Sequence, residues 1–262
     1  MGSFRFRQFE VVQDFSAMRV NTDAVLLGAW MALPDSSAAQ MQGSAEPFRM
    51  LDIGTGTGVI ALMAGQRASQ ARLKAVVEAV EIDSGACSDA GRNFAAAPWD
   101  GVDFLLHEKS LQNFSLAASR QFDLIFTNPP YFVDSLKSSD DAKVLARHTD
   151  TLSQREILFH CTKMLKIGGR LAVVLPVTEG EEFLRKVDFL VANTPHGEHC
   201  LVPERICRVH TVERKPAKRL LMEFRMEQAG GEKMKPHIEQ LVMMSGGSKT
   251  AQYADLVGEF YL

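Results

Sequence analysis

At 262 residues the chain is longer than one typical domain, yet within the range that a single α/β unit reaches. Its 46% hydrophobic and 23% charged residues are those of an ordinary globular protein, and no apolar run approaches the roughly 20 residues that cross a bilayer. A net charge of −3 argues against indiscriminate attraction to nucleic acid while leaving room for a local basic patch.

Met1-Gly2-Ser3-Phe4-Arg5-Phe6-Arg7 lacks the apolar core of a signal peptide, so a cytoplasmic protein is expected, with no membrane association. Residues 4–12 alternate apolar and polar, as one half-buried strand does. Thr22 or Asp23 is placed to cap a short helix through Trp30, and residues 33–47 lack periodicity and read as a loop. Phe48–Ile53 is an apolar strand carrying Asp52 near its end. It is followed by Gly54, Gly56 and Gly58, then by a helix that turns Ile60, Leu62 and Met63 inward. Glycines permit tight turning and close approach of a ligand, and the helix start offers free N–H groups. Ala75–Ile82 is a second buried strand, and Glu81 at its end is placed to take ribose hydroxyls.

Downstream, residues 84–96 read as a helix, Val102–His107 as a third strand and Phe122–Thr127 as a fourth. The fourth strand stops at Asn128-Pro129-Pro130-Tyr131. Two prolines fix φ and cannot donate, so the backbone there is stiff and extended. One amide, the Pro129 carbonyl and the Tyr131 ring are thereby presented at a strand end, suited to a planar substrate that bears an amino group. Residues 132–150 form a long polar connection, which marks a functional loop. Ser153 caps a helix predicted to run through Leu165 and end at Gly168-Gly169. A fifth strand, 170–175, and a helix over 179–192 follow. Cys200–Val212 and Arg219–Met226 read as an antiparallel hairpin, 228–249 as a polar connection, and the C-terminus as an amphipathic helix with Leu256, Val257, Phe260 and Tyr261. Within 205–219, Arg205, Arg208, Arg214, Lys215, Lys218 and Arg219 stand against the single acid Glu213. Cys87, Cys161, Cys200 and Cys207 form no C-x-x-C pair, so reduced thiols and no metal are expected.

Alternating strand and helix followed by a hairpin predicts an α/β fold, a doubly wound sheet with one reversed strand. Ligands of such sheets bind at the C-terminal strand ends, where the glycine loop, Glu81 and the Asn-Pro-Pro-Tyr box all fall. The glycine spacing is G-x-G-x-G rather than the G-x-G-x-x-G of dinucleotide loops, which argues against a nicotinamide oxidoreductase.

Asp52-x-Gly54-x-Gly56-x-Gly58, Glu81 and Asn128-Pro129-Pro130-Tyr131 together resemble the Rossmann-like class I methyltransferases that act on exocyclic or side-chain amide nitrogens. Three further stretches narrow the resemblance. These are Arg19-x-x-Thr22-Asp23-Ala24-x-Leu26-Leu27-Gly28-Ala29-Trp30, Ala146-Arg147-His148-Thr149 and the terminal Tyr253…Phe260-Tyr261-Leu262. With these the chain is similar to the bacterial tRNA1(Val) adenine-N6 methyltransferases, from about Phe6 to the C-terminus. The resemblance implies S-adenosyl-L-methionine as cofactor and tRNA as partner; the sequence does not fix the oligomeric state, with a monomer favoured. It also implies residues 1–47 as a segment covering the cofactor pocket and 48–262 as the methyltransferase domain.

Carried over by residue, Asp52, Gly54, Gly56 and Gly58 would hold the methionine moiety and Glu81 the ribose. Arg19, Thr22 and Asp23 would line the pocket, and Asn128 with Pro129 would receive the target amine. Tyr131 would stack on the base. Two positions depart from the family pattern: Ser110 stands where an acid often faces the cofactor adenine, with Glu108 nearby, and Arg19 stands where lysine is familiar. Phe132, Arg147, Arg205, Arg208, Arg214, Lys215 and Lys218, with Arg5 and Arg7, are the candidates for RNA contacts. Neither His107 nor His148 is assigned a catalytic role. Glutamine methylation on a protein and N6-adenine methylation of another RNA remain the alternatives. The first usually needs a separate N-terminal domain, for which residues 1–47 leave little room.

Overall fold

Two rather than one strand arise from residues 4–12: β1 (Ser3–Arg5) and β2 (Glu10–Val12) pair antiparallel across a turn closed by Phe6 N donating to Phe9 O at 2.9 Å. The two-residue period holds through Phe4 and Phe6 and again through Phe9 and Val11, but it breaks at Arg7-Gln8. Reversing there lets Phe6 and Phe9 stack at 4.5 Å and both be buried. The computed structural model describes residues 2–34, 46–117, 122–130, 152–188, 191–194, 197–231 and 235–261.

Helix α1 (Thr22–Trp30) is capped by Asn21, whose Oδ1 accepts from Ala24 N, so neither Thr22 nor Asp23 is the cap. Every residue from Ala24 to Trp30 is buried. The chain then runs β3 (Phe48–Ile53), α2 (Val59–Gln70), β4 (Ala75–Glu81), α3 (Ser84–Ala95), β5 (Val102–Glu108), α4 (Leu111–Ala117), β6 (Phe122–Thr127) and α5 (Gln154–Met164). It continues through β7 (Leu165–Pro176), α6 (Val177–Val187), β8 (Val191–Thr194), β9 (Gly197–Val212), β10 (Arg219–Gln228), β11 (His237–Ser245), β12 (Ser248–Lys249) and α7 (Ala251–Val257).

Apart from the β1–β2 hairpin, the strands join in one sheet ordered β12-β11-β9-β10-β7-β6-β3-β4-β5, with β8 on β9. Strands β5, β4, β3, β6 and β7 are parallel, and β10 runs antiparallel to both β7 and β9. Alternate strand residues feed two cores. Met50, Phe126, Val174 and Leu221 pack with α1, α2 and α7 on one face; Leu51, Ile125, Val173 and Met222 pack with α5 and α6 on the other. An apolar-all-round helix such as α1 follows from its place between α2, α7 and the β7–β10 face.

Three sequence expectations are corrected. Helix α5 ends at Met164 and its capping box at Ser153 is present, but Gly168-Gly169 does not terminate it. Phe122 pairs with Leu165 and Leu124 with Arg170, so 166–169 bulge out of β7, with Gly168 at φ +78°. Residues 191–192 belong to a strand on β9 rather than to a helix, and the supposed polar connection at 228–249 holds β11, parallel to β9 and next to the two-residue edge strand β12. A strand so near the sheet edge needs only one buried face, and Leu241 is its only fully buried residue, which hid the period. Among the described residues no helix is long and apolar enough to cross a membrane.

Candidate active site

The strand order reverses between β3 and β6, where the crevice of a doubly wound sheet lies. Ile53 is register partner to Val80 on one side and to Thr127 on the other, and Glu81 is partner to Glu108. Buried Thr127 donates its hydroxyl to Ile53 O at 2.8 Å, tying the end of β6 to the end of β3. Gly54, Glu81, Glu108 and Asn128 therefore share one sheet edge. Asn128 is half-buried, Pro129 buried and Pro130 exposed.

All three loop glycines have positive φ, +67° at Gly54, +56° at Gly56 and +83° at Gly58. They serve different ends. A Cβ on Gly54 or Gly56 would meet nothing within 4 Å, so the space above the loop is open, whereas a Cβ on Gly58 would lie 2.6 Å from the Phe94 ring. Gly58→Ala combines a left-handed backbone with that clash. It is expected to cost about 2–4 kcal/mol, read as a fall in Tm and in chemical denaturation midpoint.

Asp52 is fully buried beneath the loop and braces it: Thr55 Oγ1 donates to Oδ2 at 2.7 Å, while Oδ1 is buried without a hydrogen-bond partner among the described residues. Burial pushes its carboxyl up to about 7, and the charge of Glu81 adds to the shift. Glu81 joins the loop to α3. Its Oε2 accepts from Gly56 N at 2.9 Å, and its Oε1 accepts from Ile82 N at 2.8 Å and Asp83 N at 3.0 Å. Asp83 then caps α3 by accepting from Ala86 N.

The N-terminal segment lies over α3 beside this loop. Asp89, Arg92 and Asn93 hold it: Asp89 Oδ2 accepts from Phe15 N and Ser16 N, Arg92 pairs with Asp14, and Asn93 bonds both ways with Val12. Asn93 also donates to Thr57 O at 2.9 Å, linking hairpin, helix and glycine loop. Sequence reading missed these residues, although a polar triplet at i, i+3 and i+4 on one helix face was the available signal. It also missed Ile82, an apolar side chain 50% exposed at the sheet edge directly after Glu81.

Ser110 accepts from Asn113 N at 3.2 Å and opens α4, which leaves its O–H free to donate, and Glu108 beside it is exposed. Arg19 and Thr22 are exposed, and Asp23 accepts from Arg219 Nε at 2.7 Å. Arg205 is turned inward: it meets buried Glu223 at 2.8 Å and Glu239 at 3.1 Å and lies 4.3 Å over the Trp30 ring. Arg7 donates to Phe260 O and Tyr261 O, while Arg5 is exposed. Arg208 stands 3.9 Å from Glu181, and Arg214, Lys215 and Lys218 are exposed. His107 pairs with buried Glu78 at 2.9 Å on the sheet face, where Arg49 also pairs with that acid. Tyr131, Phe132, Arg147 and His148 lie outside the described residues. Among the described residues no group of three or more His, Cys, Asp or Glu could hold a metal ion.

An open cradle over glycines, with an acid braced against it, fits a nucleoside-bearing cofactor. Residues 37–188 match the family described as the methyltransferase small domain. Among solved structures the fold resembles a protein of Agrobacterium tumefaciens described as a predicted O-methyltransferase, at TM-score 0.57 and 18% identity over 91% of this chain and 96% of that one. It also resembles a protein of Listeria monocytogenes described as a putative class I S-adenosylmethionine-dependent methyltransferase, at TM-score 0.54 and 14% identity over 92% and 72%. The family match makes the chain a methyltransferase, built on the fold that these two structures share.

Curated relatives resolve the class further. A protein of Trichodesmium erythraeum is 37% identical over 99% of this chain and 97% of its own, and one of Parabacteroides distasonis is 40% identical over 84% and 82%. A third, from Flavobacterium johnsoniae, is 35% identical over 99% of both. All three are named tRNA1(Val) (adenine(37)-N6)-methyltransferase, and the chain belongs to that family.

Proposed function

We infer that the chain transfers a methyl group from S-adenosyl-L-methionine to the exocyclic N6 of adenine 37, beside the anticodon of tRNA1(Val). The observation that carries this reading is the position of Asn128-Pro129, one strand from the open glycine cradle and tied to it through Thr127 and Ile53.

When bound, the cofactor supplies an electrophilic sulfonium methyl. Gly54 and Gly56 would admit it closely, and Glu81 would take its ribose. A carboxylate has about four acceptor sites and three are occupied by N–H groups here, which leaves capacity for a hydroxyl. Exposed Ile82 offers an apolar face beside that acid. On the substrate side, adenine's amino nitrogen is a weak nucleophile because its lone pair is delocalised into the ring. Asn128 Oδ1 and the Pro129 carbonyl would accept its two N–H bonds and favour the pyramidal form that bears the lone pair. The transferred product is acidic enough to lose its proton to water, so no strong base is needed. Rate acceleration then rests on positioning and electrostatics. An anticodon-loop adenine is unpaired, so extruding it costs less than from a duplex, and Tyr131 would stack on it.

Purified protein with labelled cofactor is expected to methylate total tRNA from a strain lacking the gene, yielding N6-methyladenosine that maps to position 37. Transfer to protein but not to RNA would overturn this reading.

A further inference from the structure

We propose that the β9–β10 hairpin tip, residues 213–218, is the element that grips the RNA backbone, and that Arg219 is the positioning residue that aims it. The proposal rests on the reading of the chain as a tRNA methyltransferase.

The strand register puts the tip at the right edge. Thr127 is partner to Val173, Val173 to Met222, and Pro176 at the end of β7 to Arg219. Strand spacing and rise then set Arg219 about 14 Å from Thr127. Because β10 runs antiparallel, the tip projects beyond the C-terminal edge, on the side where Asn128 opens. At that separation it can meet backbone flanking a base held at Asn128 rather than the base itself.

Of the six cations between 205 and 219, the fold takes some out of play. Arg205 is held by Glu223 and Glu239, Arg219 by Asp23, and Arg208 stands loosely beside Glu181. Arg214, Lys215 and Lys218 remain exposed, and none forms an ion pair among the described residues. In a chain of net charge −3, attraction for a polyanion must be local, and this tip provides such a spot.

The tip is also held in shape. Lys218 N donates to Val209 O at 2.8 Å, Lys215 N to Val212 O at 3.1 Å, and the His210 ring nitrogen to Lys215 O at 2.8 Å. Pro216 stiffens the turn between them. Arg219 works in two directions: Nη1 donates to Lys218 O at 3.0 Å, and Nε meets Asp23 in the first turn of α1. One guanidinium therefore fixes the base of the tip to the helix that follows the N-terminal segment.

The test measures binding of an anticodon stem-loop transcript without cofactor, by fluorescence anisotropy across a salt series, alongside steady-state kinetics. The triple variant Arg214→Ala/Lys215→Ala/Lys218→Ala is expected to weaken binding roughly 10- to 100-fold and to flatten the slope of log affinity against log salt by about 2–3. KM for RNA should rise in parallel while kcat holds. Arg219→Met should raise KM by a smaller factor with the salt slope nearly intact, and Arg219→Lys should recover part of the loss by keeping the Asp23 contact. If Arg219→Met fails to fold, the exposed triple decides. A triple variant with wild-type affinity, slope and KM, in a background where the wild type methylates tRNA, overturns the proposal alone. A wild type that methylates no RNA overturns the functional reading together with it.

Discussion

Asn128→Ala is expected to lower kcat by about 10²–10³-fold, the scale at which removing one preorganised polar partner acts on a transition state. Cofactor affinity should stay near the wild-type value. The residue sits one position beyond Thr127, whose buried hydroxyl holds the end of β6 against β3. Truncating Asn128 beyond that anchor removes the amide and leaves the strand pairing in place. A loss in kcat with unchanged cofactor binding by calorimetry would mark an interaction made in the transition state. Equal losses in both would instead mark Asn128 as part of the cofactor cradle.

Glu81→Ala is expected to act on the other ligand, weakening cofactor binding roughly 10- to 150-fold, which corresponds to about 1.5–3 kcal/mol for charge-assisted hydrogen bonds. The side chain has two tasks. It would accept from the ribose, and it already braces the glycine loop through Gly56 N. Glu81→Gln separates them, because the amide retains one acceptor oxygen for Gly56 N and loses the charge. An intermediate affinity for Glu81→Gln is the expected result, with Tm close to wild type. The N–H groups of Ile82 and Asp83 belong to exposed residues that water can reach in the alanine variant. Unchanged cofactor affinity in both variants would remove Glu81 from the site.

What could be read without coordinates was what short segments decide for themselves. Gly54, Gly56 and Gly58 lie in the left-handed region, and their spacing announced a turn that only glycine adopts cheaply. Pro129 and Pro130 announced a stiff strand end by the same kind of local restraint. Strands β3, β4 and β6 declared themselves as apolar runs because both of their faces are buried. Even the hairpin at the N-terminus was written in the phase break between Phe6 and Phe9, although alternation alone favoured one strand.

Charged and polar side chains behaved differently. Arg205 and Lys218 look alike in a basic stretch, yet one is half-buried and paired with Glu223 while the other is exposed. Arg205 and Glu223 are register partners across β9 and β10, and Glu239 comes from β11, a strand the sequence concealed. Asp23 and Ser110 were placed in the cofactor pocket by resemblance. The structure adds the partners that the resemblance did not name: Asp23 accepts from Arg219, and Ser110 accepts from Asn113 N at the start of α4.

The amino-acid sequence by itself determined the glycine loop, the rigid Asn-Pro-Pro end and the succession of strands from β3 to β6, because backbone sterics and hydrophobic period act within a few residues. Only the tertiary structure decided which acid or base meets which partner, and so which cations face outward at the edge. A charge is neutralised by whatever lies within about 4 Å of it. For Arg219 that partner is Asp23, from the opposite end of the chain, and the folded sheet alone brings the two together.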